Sequence, residues 1–362
     1  MKSKFKQHIL NTSRYQTSSN RDLYNGLRLD RNERVVSENA DILTEIWSSL
    51  PPHILHVTPD IEPLYQQIIL EHGIERDQLY IAQGITECIR FLYETLTEPG
   101  DNIIVLDPTY PMYSVYSELF QLKYREFKYG DDYKPDWQSL YENVDENTAI
   151  VAIANPNLPI ESVFNKEQII KLAQYCKEHE IILAVDEAYH GFGAYSAIEL
   201  INKFDNLVVM RTFSKAWGLA AIRLGYAISQ SQNIDYLSKT RSLVETNALS
   251  MEVAMYALTH RNFIYDHVRE VKEGAEYLKK EFDKLNIKYH GGDYTNGMMI
   301  FLDKPEEAKS LYQFLQDNKI YIRGSFEKPY HCCVRVSIGA VDIMTIFLDY
   351  FKKWLEEIRP NL

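Results

Sequence analysis

The sequence lacks any apolar run long enough to cross a bilayer, and residues 1–20 are too polar for a secretory signal peptide. It has only four cysteines, and none forms a C-x-x-C pair. Cys332 and Cys333 are adjacent and would point to opposite faces of a strand, so neither a mutual bridge nor a shared metal is expected. These absences predict a cytoplasmic protein with reduced thiols, no metal site and no membrane partner. The other two cysteines are Cys88 and Cys176.

Positive charge is also scarce relative to negative charge. The chain has 39 Lys and Arg but 51 Asp and Glu, which gives a net charge of −12. Such a surface repels nucleic acid and anionic membranes, so neither is an expected partner. An anionic ligand would have to be held by a local group of arginines. At 362 residues with 45% hydrophobic side chains, the chain can bury a large core and is long enough for more than one lobe.

Between residue 79 and about residue 230, apolar strand-like runs alternate with segments of helical spacing. The runs are too uniformly apolar to have a solvated face, which is typical of a parallel sheet covered by helices on both sides. Ligands of such sheets bind at the carboxyl ends of the strands. The residues expected at or just after those ends are Gly84, Tyr110, Asn155, Asp186 and Thr212.

The pattern turns helical after about residue 230, where residues 249–285 predict one or two long helices. Two short strands, near Arg323 and Arg335, lie among helices in the last hundred residues and predict a small α+β lobe. We therefore expect an N-terminal arm (residues 1–40), a large domain (41–250), and an interdomain helix with a small C-terminal domain (251–362). Residues 1–28 are polar and irregular, which predicts a poorly held arm.

The segment RTFSKAWGLAAIRLGY (211–226) carries the most chemical information. Lys215 follows an apolar strand, and a desolvated lysine has a lowered pKa and can attack an aldehyde. The hydroxyls of Thr212 and Ser214 and the guanidinium of Arg223 suit a phosphate dianion. An aldehyde combined with a phosphate describes pyridoxal 5′-phosphate (PLP). A surface lysine in an ordinary turn is the alternative, and it would be preferred if this segment stood alone.

Asp186 ends a fully apolar strand, where a carboxylate is costly unless it is paired. A protonated pyridine nitrogen would be a suitable partner, and Tyr189 could reach the ring hydroxyl of the same cofactor. A capping aspartate and a packed core tyrosine are the structural alternatives.

Gly84, Ile85 and Thr86 open a predicted helix, whose free N–H groups and dipole attract phosphate. Tyr110 follows another strand and could stack on a planar ring, although simple packing explains it equally well. Arg323 and Arg335 lie on the two short strands of the final lobe, where arginines suit a carboxylate or a phosphate. Either arginine alone would more often be a solvated surface residue.

Taken together, these residues resemble the fold type I PLP-dependent aminotransferases, and among them the histidinol-phosphate aminotransferase-like group. The resemblance extends from LDRNE (29–33) to RVSIG (335–339) and is most specific in DEAY (186–189) and in residues 211–223. It implies a mostly parallel sheet in a large domain and a small α+β C-terminal domain. It also implies a homodimer, because the family's sites are shared between subunits.

The resemblance gives each candidate residue a role. Lys215 would bond covalently to the cofactor aldehyde and act as the catalytic base. Asp186 would contact the ring nitrogen, Tyr189 the ring hydroxyl, and Tyr110 would stack on the ring. Arg335 would hold the acidic group of the substrate with Arg323 as its companion. Residues that would hold the cofactor phosphate are Thr212, Ser214, Arg223 and the amides beside Gly84, from Ile85 and Thr86. Asn32 would lie at the substrate.

Three departures distinguish this chain from the family pattern. The motif NPNNPTG reads NPNLPIE (155–161), so Leu158 occupies the place of an asparagine expected to bond the ring hydroxyl, and Asn157 could replace it only if the loop shifts. YPD reads TPD, so Thr58 replaces a tyrosine that reaches the partner subunit. Residues 242–249 do not match the substrate loop of histidine-pathway enzymes. LDRNER (29–34) instead resembles relatives from capsule and surface-sugar pathways.

The leading hypothesis is a PLP-dependent aminotransferase that moves an amino group between a donor such as glutamate and a small phosphorylated keto or aldehyde compound. A decarboxylase of an amino-acid phosphate and a true histidinol-phosphate aminotransferase are alternatives on the same scaffold. A non-catalytic cofactor-binding or assembly protein is a third class, suggested by Leu158 and opposed by Lys215, Asp186 and Arg223.

Overall fold

A computed structural model describes residues 4, 6–12, 25–35, 41–130, 132–324 and 326–358. Much of the predicted N-terminal arm, including residues 13–24 and 36–40, lies outside the described residues. The strands, in chain order, are β1 (Leu27–Leu29), β2 (Leu79–Ala82), β3 (Asn102–Leu106), β4 (Lys123–Phe127), β5 (Thr148–Ala154), β6 (Ile182–Asp186), β7 (Leu207–Thr212), β8 (Gly225–Ile228), β9 (Lys288–Gly291), β10 (Gly297–Phe301), β11 (Ile320–Ile322) and β12 (Cys333–Ser337).

Helices separate most of the strands along the chain. They are α1 (Gln7–Asn11), α2 (Asp41–Ser49), α3 (Glu62–His72), α4 (Ile85–Leu96), α5 (Met112–Leu119), α6 (Trp137–Asn143), α7 (Lys166–Glu178), α8 (Ser231–Ser238), α9 (Ala248–Thr259), α10 (Asn262–Lys284), α11 (Pro305–Asp317) and α12 (Val341–Ile358). The predicted helical region at 249–285 is two helices, α9 and α10. None of the helices in the described part of the chain is both long and apolar enough to cross a membrane.

Seven strands form the large sheet in the order β2-β8-β7-β6-β5-β3-β4. All neighbours are parallel except β8, which is antiparallel to both β2 and β7. This arrangement confirms the predicted mostly parallel α/β sheet. The sequence did not reveal β8, because its residues follow the turn at 220–224 directly, within the segment that was interpreted as the lysine loop.

Alternate side chains of the large sheet enter two hydrophobic cores. On β3, for example, Ile104 and Leu106 belong to one core, whereas Ile103 and Val105 belong to the other. Burial on both faces explains why these strands are continuously apolar. It also fixes the register of the sheet, since a slip by one residue would exchange the two sets.

A second sheet lies in the C-terminal part, where β10 pairs antiparallel with β12 and with β9. Next to it, β1 pairs in parallel with β11, so residues 27–29 of the predicted arm join the C-terminal lobe. An isolated antiparallel bridge between Arg323 and Arg335 connects the end of β11 to β12. The predicted small α+β lobe is therefore present, and the proposed domain limits at residues 40 and 250 remain a prediction.

Candidate active site

The strand directions bring the predicted site residues to one edge of the large sheet. Because β2 and β7 are each antiparallel to the intervening β8, they run in the same direction. The loops that follow β2, β6 and β7 consequently emerge at the same edge. Gly84 and Lys215 lie in the loops after β2 and β7, and Asp186 is the last residue of β6, so three segments that are distant in sequence meet in one cleft.

Lys215 lies in a turn directly after β7 and faces the N-terminal segment. Its Nζ donates hydrogen bonds to the carbonyl oxygens of Arg31 (2.9 Å) and Asn32 (3.2 Å). It also lies 5.7 Å from the ring centroid of Tyr189. The two carbonyls therefore hold the amine of Lys215 close to the Tyr189 ring.

The pKa of Lys215 is lowered to about 8, mainly by burial and also by the positive charges of Arg335 and Arg223, while Glu33 and Asp186 oppose the shift. An appreciable fraction of the amine is then neutral near pH 7–8. A neutral amine is a nucleophile toward aldehydes and can accept a proton. The sequence predicted the burial of Lys215, and the fold adds the effect of the neighbouring arginines.

Asp186 ends β6 and is only 2% exposed. Tyr113 donates its hydroxyl proton to Oδ2 (3.1 Å), and the amide of Ala188 donates to Oδ1 (2.9 Å). Burial raises the pKa of Asp186 to about 6, against the effect of these hydrogen bonds. A cationic ring nitrogen beside this carboxylate would offset the cost of burying it. Tyr113, on α5, was missed in the sequence, although it lies only three residues after Tyr110.

One end of the cleft is formed around the first turn of α4. Gly84 precedes this turn with φ = +78°, and a Cβ at this position would lie 3.1 Å from Nη2 of Arg223. Glycine therefore lets the guanidinium approach the helix N-terminus, where Ile85 and Thr86 contribute their backbone N–H groups. The hydroxyl of Thr86 also lies 2.9 Å from that of Tyr110, which places Tyr110 at the same end.

Two further hydroxyls join this end from the turn after β7. Oγ1 of Thr212 lies 3.0 Å from Oγ of Ser214, whose amide donates to Thr212 (3.1 Å). Gly225 lets β8 approach β2, because a Cβ there would lie 2.8 Å from Cα of Gly84. Arg223 anchors its Nη1 on the carbonyl of Ala220 (3.1 Å). Helix N–H groups, hydroxyls and one guanidinium are a donor set that fits a phosphate dianion.

The opposite end of the cleft is centred on Asn32, which is 1% exposed. Its Nδ2 donates to the hydroxyl of Tyr189 (3.2 Å), and its backbone N–H donates to Oγ of Ser337 (2.7 Å). Leu158 is buried at the same place: a Cβ at Gly297 would lie 2.6 Å from Nδ2 of Asn32 and 3.0 Å from Cδ1 of Leu158. Burial raises the pKa of Tyr189 to about 12.

Asn157 and Thr58 have other surroundings. The amide of Asn157 donates to the hydroxyl of Tyr129 (2.6 Å) and to the carbonyl of Pro108 (2.9 Å), and accepts from the hydroxyl of Thr109 (2.6 Å). These bonds hold its side chain within the loops that follow β3 and β5, so the loop shift that would turn Asn157 toward Tyr189 does not occur. Thr58 lies exposed in the segment between α2 and α3.

Arg323 and Arg335 are direct cross-strand partners. The amide of each donates to the carbonyl of the other, at 2.9 and 2.7 Å, so both side chains leave the same face. Arg335 is half-buried, donates from Nη2 to the carbonyl of Asp30 (3.2 Å), and lowers the pKa of Lys215 electrostatically. Arg323 is exposed at the rim.

Glu161 was not singled out in the sequence, yet it links the two sheets beside the cleft. Its buried carboxylate accepts hydrogen bonds from the amides of Gly292, Asp293 and Tyr294, each at 3.1 Å, and from the hydroxyl of Thr295 at 2.6 Å. All four donors belong to the turn between β9 and β10. The departure from glycine at this motif position was visible in the sequence, but its partners lie about 130 residues away.

Comparison with known proteins agrees with this geometry. A family model for aminotransferases of class I and II matches residues 55–347. A histidinol-phosphate aminotransferase from Bacteroides thetaiotaomicron is 32% identical over 285 residues, which cover 78% of this chain and 81% of that protein. Another, from Thermoanaerobacter pseudethanolicus, is 30% identical over 333 residues, covering 91% of this chain and 93% of that protein.

The fold agrees as well. The crystal structure of histidinol-phosphate aminotransferase from Sinorhizobium meliloti in complex with pyridoxal-5′-phosphate superimposes with a TM-score of 0.83 at 22% identity, and covers 92% of this chain and 91% of that one. Lys215, Asp186 and the phosphate-type donor set provide the groups that this cofactor needs. The chain belongs to the class I and II aminotransferases, the fold type I family of PLP-dependent enzymes.

Proposed function

We propose that this aminotransferase moves an amino group between a donor such as glutamate and a small phosphorylated keto or aldehyde compound. The observation that carries the substrate class is the pairing of Arg323 with Arg335 on one face of the C-terminal strands. A buried dianion needs more than one positive partner, whereas a plain carboxylate needs only one. Two adjacent arginines, one half-buried and one at the rim, therefore favour a phosphate-bearing substrate.

The remaining residues have separate tasks. When bound, PLP draws electrons away from the substrate carbon that loses its proton. Lys215, with its lowered pKa, holds and returns that proton. Asp186 would pair with the ring nitrogen, and Tyr189 would face the ring hydroxyl. Arg223 and the first turn of α4 would hold the cofactor phosphate.

Histidinol phosphate is the second candidate substrate, because both relatives described above carry that activity in their names. The 242–249 segment, which does not resemble the substrate loop of those enzymes, favours a shorter compound of about three or four carbons. A place in a capsule or surface-sugar pathway rests on the LDRNER segment alone, and we propose it only as the setting to examine first.

The test measures kcat/KM for serine phosphate, histidinol phosphate and their unphosphorylated counterparts, with 2-oxoglutarate as acceptor. Wild type should prefer a phosphorylated compound, and Arg323→Ala should lose about 1.5–3 kcal/mol of that preference, as for a charged hydrogen bond. Arg269→Ala, which removes an exposed arginine of α10, is the matched control and should keep the preference.

An unchanged preference in Arg323→Ala would remove Arg323 from the substrate site and reopen the substrate class. Release of carbon dioxide without formation of glutamate would instead identify a decarboxylase.

We also propose a two-fold dimer, because the family's sites are shared between subunits. Apolar side chains lie exposed on α2, in the segment before Thr58 and in the 242–249 segment, which is unusual for a surface that stays in water. They are Trp47, Leu55, Val57 and Leu243, the last 96% exposed. Light scattering should give twice the mass of one chain, and Leu55→Asp should weaken association. A fully active monomer at micromolar concentration would contradict this proposal.

A further inference from the structure

Asn32 combines two unusual features: it is buried and polar, and its backbone is left-handed at φ = +53°. Non-glycine residues rarely adopt this conformation, and asparagine tolerates it better than most. Both features carry a free-energy cost, so the surrounding contacts must hold this residue in place.

Those contacts come from the C-terminal sheet. Oγ of Ser337, on β12, accepts from the backbone N–H of Asn32 (2.7 Å), and Nδ2 of Asn296 donates to its carbonyl (3.1 Å). Arg335 lies two residues before Ser337 on the same strand. The position of Asn32 is therefore tied to the strand that carries the proposed substrate arginine.

Asn32 in turn contacts two groups at the centre of the cleft. Its carbonyl accepts a hydrogen bond from Nζ of Lys215 (3.2 Å), and its Nδ2 donates to the hydroxyl oxygen of Tyr189 (3.2 Å). Because an amide nitrogen only donates, Tyr189 must direct its own hydroxyl proton elsewhere. Asn32 thus fixes the direction in which Tyr189 can donate.

Leu158 reaches the same space from the loop after β5. Nδ2 of Asn32 and Cδ1 of Leu158 both crowd the Cα of Gly297, where no Cβ could fit without displacing one of them. An asparagine at position 158 has nearly the same reach as leucine, so its amide would lie beside the amide of Asn32. Leu158 itself has no donor to offer.

We propose that Asn32 is a positioning residue of the reaction. Its amide orients the hydroxyl of Tyr189 toward the side where the cofactor ring hydroxyl would bind, and it supplies from the N-terminal segment the side-chain donor that Leu158 lacks. This inference depends on the cofactor chemistry of the family and does not depend on which substrate is used.

The test uses Asn32→Gly, which removes the amide but permits φ = +53°, and Asn32→Asp, which replaces the donor by an acceptor. Asn286→Gly is the matched control, since Asn286 has the same φ of 53° and lies exposed between α10 and β9. In the cofactor-free protein, the ring-carbon chemical shift of Tyr189 should change in both Asn32 variants and stay constant in the control.

In the PLP-loaded enzyme without substrate, the pH midpoint of the visible absorbance band should rise by roughly one unit in Asn32→Gly. With a weaker hydrogen bond from Tyr189, the cofactor ring oxygen would carry more negative charge. That charge would hold the proton on the adjacent Lys215 nitrogen up to a higher pH. Asn32→Asp should shift the midpoint further, because Tyr189 would turn its proton to the new carboxylate. In both variants kcat should fall roughly tenfold or more, with little change in PLP affinity.

Leu158→Asn in the Asn32→Gly background should restore at least half of the lost kcat and of the midpoint shift. If it restores neither, an amide at position 158 cannot replace the amide of Asn32. The proposal that Asn32 supplies the donor that Leu158 lacks would then be wrong. If Asn32→Gly behaves like Asn286→Gly in the chemical shift, the midpoint and kcat, Asn32 has no positioning role.

Discussion

The two ends of the cleft are built in different ways. The phosphate-type end consists of two short sequence stretches, residues 84–86 and 212–223, at the ends of β2 and β7, the strands on either side of β8 in the large sheet. The Asn32 end gathers Asn32, Leu158, Asn296 and Ser337 from four distant segments that involve both sheets. The first end matches the family pattern, and the second contains the departure at Leu158.

This difference shows which end can vary. The phosphate-type end depends on helix N–H groups and on the close approach of β8 to β2, which any change of fold would disrupt. The Asn32 end depends on how the C-terminal sheet packs against the loop after β5, with Glu161 as a buried connection. Substitutions at the Asn32 end change which side chains can donate hydrogen bonds, and they leave the strand order of the large sheet unchanged.

Replacement of Lys215 should have the largest effect. Lys215→Ala should lower kcat by roughly 10²–10⁴-fold or more, since a positioned proton-transfer group and the covalent attachment are lost together. The variant should still bind PLP, which equilibrium dialysis can measure. Full activity in Lys215→Ala would place the chemistry elsewhere.

Arg223→Ala tests the phosphate-type end alone. Loss of one guanidinium from a phosphate should weaken PLP binding by about 1.5–3 kcal/mol, roughly 10- to 150-fold. At saturating PLP, the KM for the substrate should remain close to that of wild type. Fluorescence titration of the cofactor-free enzyme gives the affinity. An equal loss of substrate affinity would mean that the two ends are not separate sites.

Much of the first end could be read from the sequence, because Gly84, Thr86, Lys215 and Arg223 follow strands whose apolar runs were evident. The mostly parallel sheet was predictable for the same reason. The short strand β8 was not, since it follows the turn after Arg223 without a separate apolar run.

The other end could not be derived from the sequence, because its contacts join segments separated by hundreds of residues. Asn32 was expected at the substrate, but its bonds to Tyr189 and Ser337 depend on the parallel pairing of β1 with β11. Glu161 was visible as a departure from glycine, and only the fold shows the four donors that surround its carboxylate.

Glu161→Ala should act on the other end of the cleft. Removal of the carboxylate leaves three amides and one hydroxyl without this acceptor, at a cost of about 1–3 kcal/mol in the free energy of unfolding. Urea denaturation measures that loss, and kcat/KM should fall while PLP affinity stays near wild type. Glu161→Gln keeps one acceptor oxygen, so its free energy of unfolding should lie between those of wild type and Glu161→Ala. Unchanged stability in Glu161→Ala would show that Glu161 does not connect the sheets.

The smallest expected effect concerns the charge of Arg335. Burial is the main reason why the pKa of Lys215 falls to about 8, and Arg335 contributes the next largest lowering. Removing this cation in Arg335→Gln should raise the pKa, so the amine stays protonated to higher pH. The rate at which the cofactor-free enzyme captures PLP should then reach its half-maximum at a higher pH than in wild type. Arg335→Lys, which keeps the charge, is the control, and a downward shift in Arg335→Gln would contradict the electrostatic account.

The most direct test is to reduce the PLP-loaded enzyme with borohydride and locate the modified lysine by peptide mass spectrometry. The account predicts that the cofactor is fixed to Lys215, in the peptide that contains RTFSK, and that Lys215→Ala yields no labelled peptide under the same conditions. Labelling of a different lysine, or a wild-type protein that takes up no PLP, would contradict it.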